Sequence, residues 1–164
     1  MYNDCVPSSV YLETSFFSEC CTVRTGEIAR GRRATSLNWW ENYARKFDLY
    51  ISREVVRELS SADFPPVVRE PALEMLRGLT LLPSVPEVIS FAELLVAEKV
   101  MPSPANEGDA LHLAYVVVHQ VDYLLTWNQR HLANPNKRTH LTIIAARARL
   151  RLPEIVTPDL MRLE

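Results

Sequence analysis

Glu13, Glu58, Asp109 and Asn128 each stand at the edge of a separate apolar segment of the chain. Glu13 closes Val10-Tyr11-Leu12, and Asn128 closes Tyr123-Leu124-Leu125-Thr126-Trp127. Asp109 opens the run Ala110-Leu111-His112-Leu113-Ala114, and Glu58 lies in a helix-like stretch after Leu49-Tyr50-Ile51. A carboxylate at the end of a buried strand is costly unless it is paired, solvated or bound to a cation. Carboxylates gathered in one place repel one another unless a cation sits between them. Hard divalent ions prefer such oxygen ligands and need few direct carboxylates. An ion so held acidifies water and steadies charge on a phosphoryl oxygen, which is the chemistry of phosphodiester hydrolysis.

These residues meet only if the elements that carry them share one end of a sheet. Short apolar runs alternate with longer amphipathic stretches, the pattern of an α/β fold. In open α/β sheets the ligand site lies beyond the carboxyl ends of the strands. Strands are expected at Ser9–Glu13, Asp48–Ile51, Thr80–Leu82, Asp122–Trp127 and Ile155–Thr157. Helices are expected from about Ser15, over Ala34–Phe47 and Arg53–Ser61, between Pro66 and Gly78, from Pro86, over Asp109–Gln120 and over Thr139–Leu150. The Arg-rich stretch Thr25–Arg33, with Gly26 and Gly31, reads as a turn or loop. Trp39 and Trp40 read as core or groove wall.

Each site residue also has an ordinary role. Asp109 suits a helix cap, and Asn128 suits a cap for Gln129–Ala133. Glu13 suits a salt bridge to a core arginine, and Glu58 an exposed helix face beside Glu54 and Arg57. It is their combination that carries information.

At 164 residues, 48% of them hydrophobic and 23% charged, the chain fits one domain over 1–164. No apolar stretch is long enough to cross a bilayer, and the start lacks the order of a secretory signal, so a cytoplasmic protein is expected. Cys5, Cys20 and Cys21 read as reduced thiols, and with the histidines they form no structural zinc pattern. The four glycines make no phosphate-cradling loop, which speaks against a nucleotide-binding enzyme. The net charge of −2 hides an asymmetry. Between Tyr123 and Pro153 there is no acidic residue, while Arg130, Lys137, Arg138, Arg147, Arg149 and Arg151 fall there; Arg24, Arg30, Arg32 and Arg33 form a second basic group. Such groups suit a phosphate backbone or simply a solvated face.

Val10-Tyr11-Leu12-Glu13-Thr14-Ser15 resembles the opening motif of PIN-domain ribonucleases, an acidic residue followed by Thr-Ser. Asp109-Ala110-Leu111-His112-Leu113-Ala114 resembles that family's third acidic motif, and Glu58-Leu59 fits the second. The run from Asp122 to Asn128 looks like the strand that delivers the fourth site residue. The resemblance spans about Val10 to Met161. It implies a three-layer α/β/α sandwich around a central, mainly parallel sheet, with Mg²⁺ or Mn²⁺ in an acidic pocket. It implies an endoribonuclease, with many relatives being VapC-type toxins of type II toxin–antitoxin pairs, so that RNA is the substrate and a cognate antitoxin the partner. Carried over by position, Glu13, Glu58 and Asp109 hold the metal and Asn128 completes the catalytic set. Ser15, Arg130 and His131 contact the substrate, Ser15 also supporting the site from the first strand. Apolar residues on the Leu37–Phe47 and Val88–Val96 helices serve either the core or a homodimer. Two positions depart from the pattern: Glu13 stands where Asp is usual, and neutral Asn128 where an acid is frequent. Both departures favour the alternative of a weak or inactive PIN-like module that binds RNA or protein.

Overall fold

The computed structural model describes residues 6–161, so Cys5 lies outside the described residues. Five strands form one sheet: β1 (Ser9–Leu12), β2 (Asp48–Ile51), β3 (Thr80–Leu81), β4 (Tyr123–Leu125) and β5 (Glu154–Val156). Their order is β3-β2-β1-β4-β5, and every neighbouring pair is parallel. β1 is central because Val10, Tyr11 and Leu12 are apolar on both faces, and all three are fully buried. Tyr11 pairs with Tyr50 of β2 on one side and with Leu124 of β4 on the other.

Seven helices among the described residues flank this sheet: α1 (Thr14–Cys21), α2 (Glu27–Asn42), α3 (Arg53–Leu59), α4 (Pro66–Met75), α5 (Pro86–Ala97), α6 (Gly108–Val118) and α7 (Pro135–Arg147). The architecture is the expected α/β/α arrangement, with an all-parallel sheet. Parallel strands need right-handed crossovers. The chain therefore winds outward from β1 through β2 to β3, then returns to β4 beside β1 and winds the other way to β5. The strand order reverses between β1 and β4, and that junction opens a crevice at the carboxyl edge of the sheet. No described helix is long and apolar enough to cross a membrane.

The core is a continuous apolar cluster. Trp39 stacks on Phe47 with ring centroids 5.9 Å apart, and Phe16 meets Trp39 edge-on at 5.5 Å. Each such side chain contributes about 1.5–3 kcal/mol through removal from water. Leu37, Trp40, Tyr43, Phe47, Ile89, Leu94 and Val96 pack against the same cluster, so core burial accounts for the apolar stripes of both helices considered for dimerisation.

Two stretches depart from expectation. The Arg-rich segment is not a loop: from Glu27 onward it is the first half of α2, with Gly26 at its N-cap and Gly31 inside it. A helical glycine costs about 1 kcal/mol against alanine. The burial of Ala29, Ser36 and Trp39 along one face outweighs that cost. α7 begins at Pro135, ahead of the expected Thr139, because Asn134 accepts a hydrogen bond from the Asn136 N–H at 3.0 Å and Pro135 suits the first helical position. Pro71 is accommodated within α4 on its exposed side.

Candidate metal centre

Glu13 follows β1 directly and is 5% exposed, so its carboxylate is committed to the interior of the crevice. The Glu13 N–H continues the sheet by donating to Leu125 O at 3.1 Å. Two hydroxyls then hold the side chain. Thr126 Oγ1 donates to Glu13 Oε2 at 2.7 Å and accepts from the Asn128 N–H at 2.9 Å. Ser15 Oγ donates to the same Oε2 and accepts from the Trp127 N–H at 2.8 Å. Backbone amides at the end of β4 are thus relayed through hydroxyls onto the carboxylate that ends β1. Trp127 is itself anchored, because its Nε1 donates to Ser36 Oγ of α2 at 2.8 Å.

Glu58 reaches the crevice from α3 and accepts a hydrogen bond from Thr14 Oγ1. Its Oε2 lies 3.0 Å from His112 Nε2, and the same nitrogen lies 3.9 Å from Glu13 Oε1. His112 is fully buried, and its Nδ1 lies 2.7 Å from the Tyr11 hydroxyl, which is also 2.7 Å from Ser52 Oγ. Glu13, Glu58 and His112 each present a ligand atom within 4.8 Å of the others, a group able to hold a metal ion. Donor chemistry supports that fit: two carboxylates and an imidazole converge on one point, and Glu13 Oε1 takes no hydrogen bond among the described residues.

Asp109 lies in the first turn of α6 and stands outside that three-residue group. It is not the helix cap, which is Glu107. Its Oδ1 accepts from Asn128 Nδ2 at 2.8 Å. Asn128 in turn accepts from the His131 N–H at 3.0 Å, closing a turn rather than capping a helix. An unbroken path of hydrogen bonds therefore runs from Asp109 through Asn128 and Thr126 to Glu13. Beyond it, Arg130 is exposed and His131 is half-buried, with its Nδ1 3.4 Å from Lys137 Nζ.

The electrostatics follow from burial and these contacts. Burial pushes the Glu13 carboxyl above the usual range, and the charge of His112 and the bonds from Ser15 and Thr126 offset it only in part. Glu58 is also desolvated, yet the hydrogen bond and charge of His112, with help from Thr14 and Arg57, bring it below the usual range. Burial opposes a charged His112 ring, but the bond to Glu58 and the charges of Glu13 and Glu58 outweigh it and raise the imidazole.

Three participants escaped the sequence reading. His112 sits three residues after Asp109, so both share a helix face. That spacing, in a stretch otherwise apolar all round, was the available signal. Tyr11 and Ser52 carried none, because a tyrosine in a buried strand and a serine before a helix are commonplace. Glu54 has a supporting role: its buried carboxylate pairs with Arg57 and accepts the Gly108 N–H at 2.6 Å, pinning the start of α6. Gly108 adopts φ +68° there, a conformation that glycine enters at little cost.

No known family profile matches the chain, and no curated protein matches it. Solved structures do share its fold. VapBC2 from Rickettsia felis, crystallised bound to a DNA fragment from its promoter, aligns with a TM-score of 0.57 and 12% identity over 91% of this chain and 98% of that one. VapC20 of Mycobacterium tuberculosis, a toxin that cleaves the sarcin–ricin loop, aligns with a TM-score of 0.55 and 15% identity over 77% and 95%. At these identities the likeness is one of fold. The chain has a PIN-like, VapC-like α/β/α fold.

Proposed function

We propose, taking the VapC-like fold as premise, that this protein is a divalent-metal-dependent endoribonuclease acting as the toxin of a type II toxin–antitoxin pair. The observation that carries the reading is the convergence of Glu13 and Glu58 at the β1/β4 switch point, where the fold leaves its crevice. Mg²⁺ or Mn²⁺, when bound, offsets charge developing on the phosphoryl oxygens and acidifies nearby water.

The chain's own residues supply the rest. Glu13 and Glu58 provide carboxylate oxygens, and Asp109 adds a third carboxylate whose orientation Asn128 sets. Ser15 and Thr126 lock Glu13 in one rotamer, so little reorganisation accompanies binding. Arg130, exposed just past Asn128, meets the RNA backbone, and His131 lies beside it. Ser15, with its hydroxyl held between Glu13 and Trp127, acts on substrate through the carboxylate it positions. A cognate antitoxin is the expected partner and the cytoplasm the expected compartment, the whole chain serving as one domain. VapBC2, a toxin–antitoxin complex of the same fold, supports the partner.

A second reading is a PIN-like module that binds RNA or protein without cutting. It is favoured by Asn128, whose amide is occupied with Asp109 and adds no charge. RNA cleavage in Mn²⁺ by the wild type and by Asp109→Asn separates the two. Cleavage lost in the variant supports the nuclease, equal cleavage removes the metal mechanism, and binding without cleavage in either establishes the module.

A further inference from the structure

The Nδ1 of His112 is taken up by Tyr11, at 2.7 Å, and Tyr11 is taken up by Ser52 at 2.7 Å. All three residues are fully buried, so this chain has no water to exchange with. A polar chain kept inside a core must be satisfied internally, and here the partners permit one arrangement of the ring. With Nδ1 fixed on Tyr11, Nε2 can face only Glu58 at 3.0 Å and Glu13 at 3.9 Å. A separate observation points to a ligand at the same place. Both hydrogen bonds to the Glu13 carboxylate fall on Oε2, leaving Oε1 of this 5% exposed side chain without a donor and aimed at His112.

We infer that His112 is a nitrogen ligand of the site, aimed by Tyr11 and Ser52, and that the site therefore takes a first-row transition ion in preference to Mg²⁺. The inference rests on the reading of the crevice as a divalent-cation site and specifies its chemistry. In the required tautomer Nδ1–H donates to Tyr11, the Tyr11 hydroxyl donates to Ser52, and the Nε2 lone pair faces the carboxylates. A metal-bound histidine is characteristically held in this way by a bond to its other ring nitrogen. Mg²⁺ binds oxygen and keeps its waters, whereas imidazole suits transition ions, so one nitrogen donor among carboxylates tilts the selection. Tyr11 and Ser52 are positioning residues, since they act only through the ring.

The test is Mn²⁺ titrated into the full chain without RNA, followed by electron paramagnetic resonance on protein labelled with ¹⁵N-histidine. A directly coupled ¹⁵N signal is expected in the wild type, and its loss in His112→Gln assigns it among the four histidines of the chain. Tyr11→Phe keeps the ring and the packing but weakens Mn²⁺ binding by about 10–100-fold, with Mg²⁺ affinity nearly unchanged. Bound Mn²⁺ with no ¹⁵N coupling, or an unaltered Mn²⁺/Mg²⁺ preference in both variants, overturns the inference. Coupling without RNA cleavage upholds the ligand assignment and removes the nuclease reading. Cleavage supported by Mn²⁺ without coupling does the reverse.

Discussion

Asn128 Nδ2 donates to Asp109 Oδ1 at 2.8 Å, tying the turn after β4 to the first turn of α6. The bond gives a neutral residue a defined task at a position where an acid is frequent in PIN-domain ribonucleases: it orients a carboxylate instead of supplying one. It also separates charge from geometry, because an asparagine at 109 keeps an acceptor for Asn128 while losing the charge.

Asp109→Asn is therefore expected to leave the melting temperature almost unchanged and to lower RNA cleavage in Mn²⁺ by at least about 100-fold. Asp109→Ala leaves the Asn128 amide without its acceptor and costs about 1 kcal/mol of stability as well. Denaturant unfolding alongside a cleavage assay reads both effects. Full activity in Asp109→Asn would show that the charge plays no part.

Glu13→Gln keeps an oxygen to accept from Ser15 and Thr126, and burial already disfavours the charge at this position. The melting temperature should not fall. Mn²⁺ affinity should drop by at least about 10-fold, since ligand charge sets affinity for such ions. Calorimetric titration and thermal unfolding of the same sample decide it. A destabilised protein with intact Mn²⁺ affinity would make Glu13 a structural residue.

Asp122 links the starts of β1 and β4. It accepts from the Ser9 N–H at 2.9 Å and from Ser9 Oγ at 2.8 Å, and pairs with Arg151 at 3.1 Å. The Ser9 N–H bond foremost, then the Ser9 hydroxyl and Arg151, hold this carboxyl below its ordinary value despite partial burial. A depressed acid favours folding while ionised, so its contribution is full above the unfolded value of about 3.9 and fades as pH falls through the lower folded value. The stability gap between wild type and Asp122→Asn should accordingly be constant above about pH 5 and close below about pH 4. A gap that widens on acidification would contradict the linkage.

Gly108 enters α6 at φ +68°, with nothing within 4 Å of the place a Cβ would occupy. Gly108→Ala meets no clash, so the left-handed backbone alone costs roughly 1–2 kcal/mol. Relaxation of that turn also disturbs the bond from Gly108 N–H to Glu54 and the placement of Asp109. Urea unfolding and Mn²⁺-dependent cleavage should both report a loss. An unaffected midpoint would place Gly108 in a conformation open to any residue.

Sequence alone determined the strands, the order of elements and the carriers of the acids. Val10-Tyr11-Leu12 and Tyr123-Leu124-Leu125 are apolar without interruption, and such runs have few ways to be buried except side by side in a parallel sheet. Glu13 and Asn128 then fall at the same sheet edge by continuity of chain. Local signals misjudged the segment from Glu27 to Arg33, because the turn-forming glycine there is outweighed by a burial face that becomes evident only when α2 docks on α1.

Which polar groups meet was left to tertiary structure. Spacing puts Asp109 and His112 on one face of α6, but whether that face turns to solvent, to Tyr11 or to Glu58 depends on how α6 packs against β1 and α3. The three-residue group of Glu13, Glu58 and His112 comes from three elements, each contributing one side chain. Hydrogen bonds and ion pairs act over a few ångströms, and distances that short between residues far apart in sequence exist only once the core has closed around them.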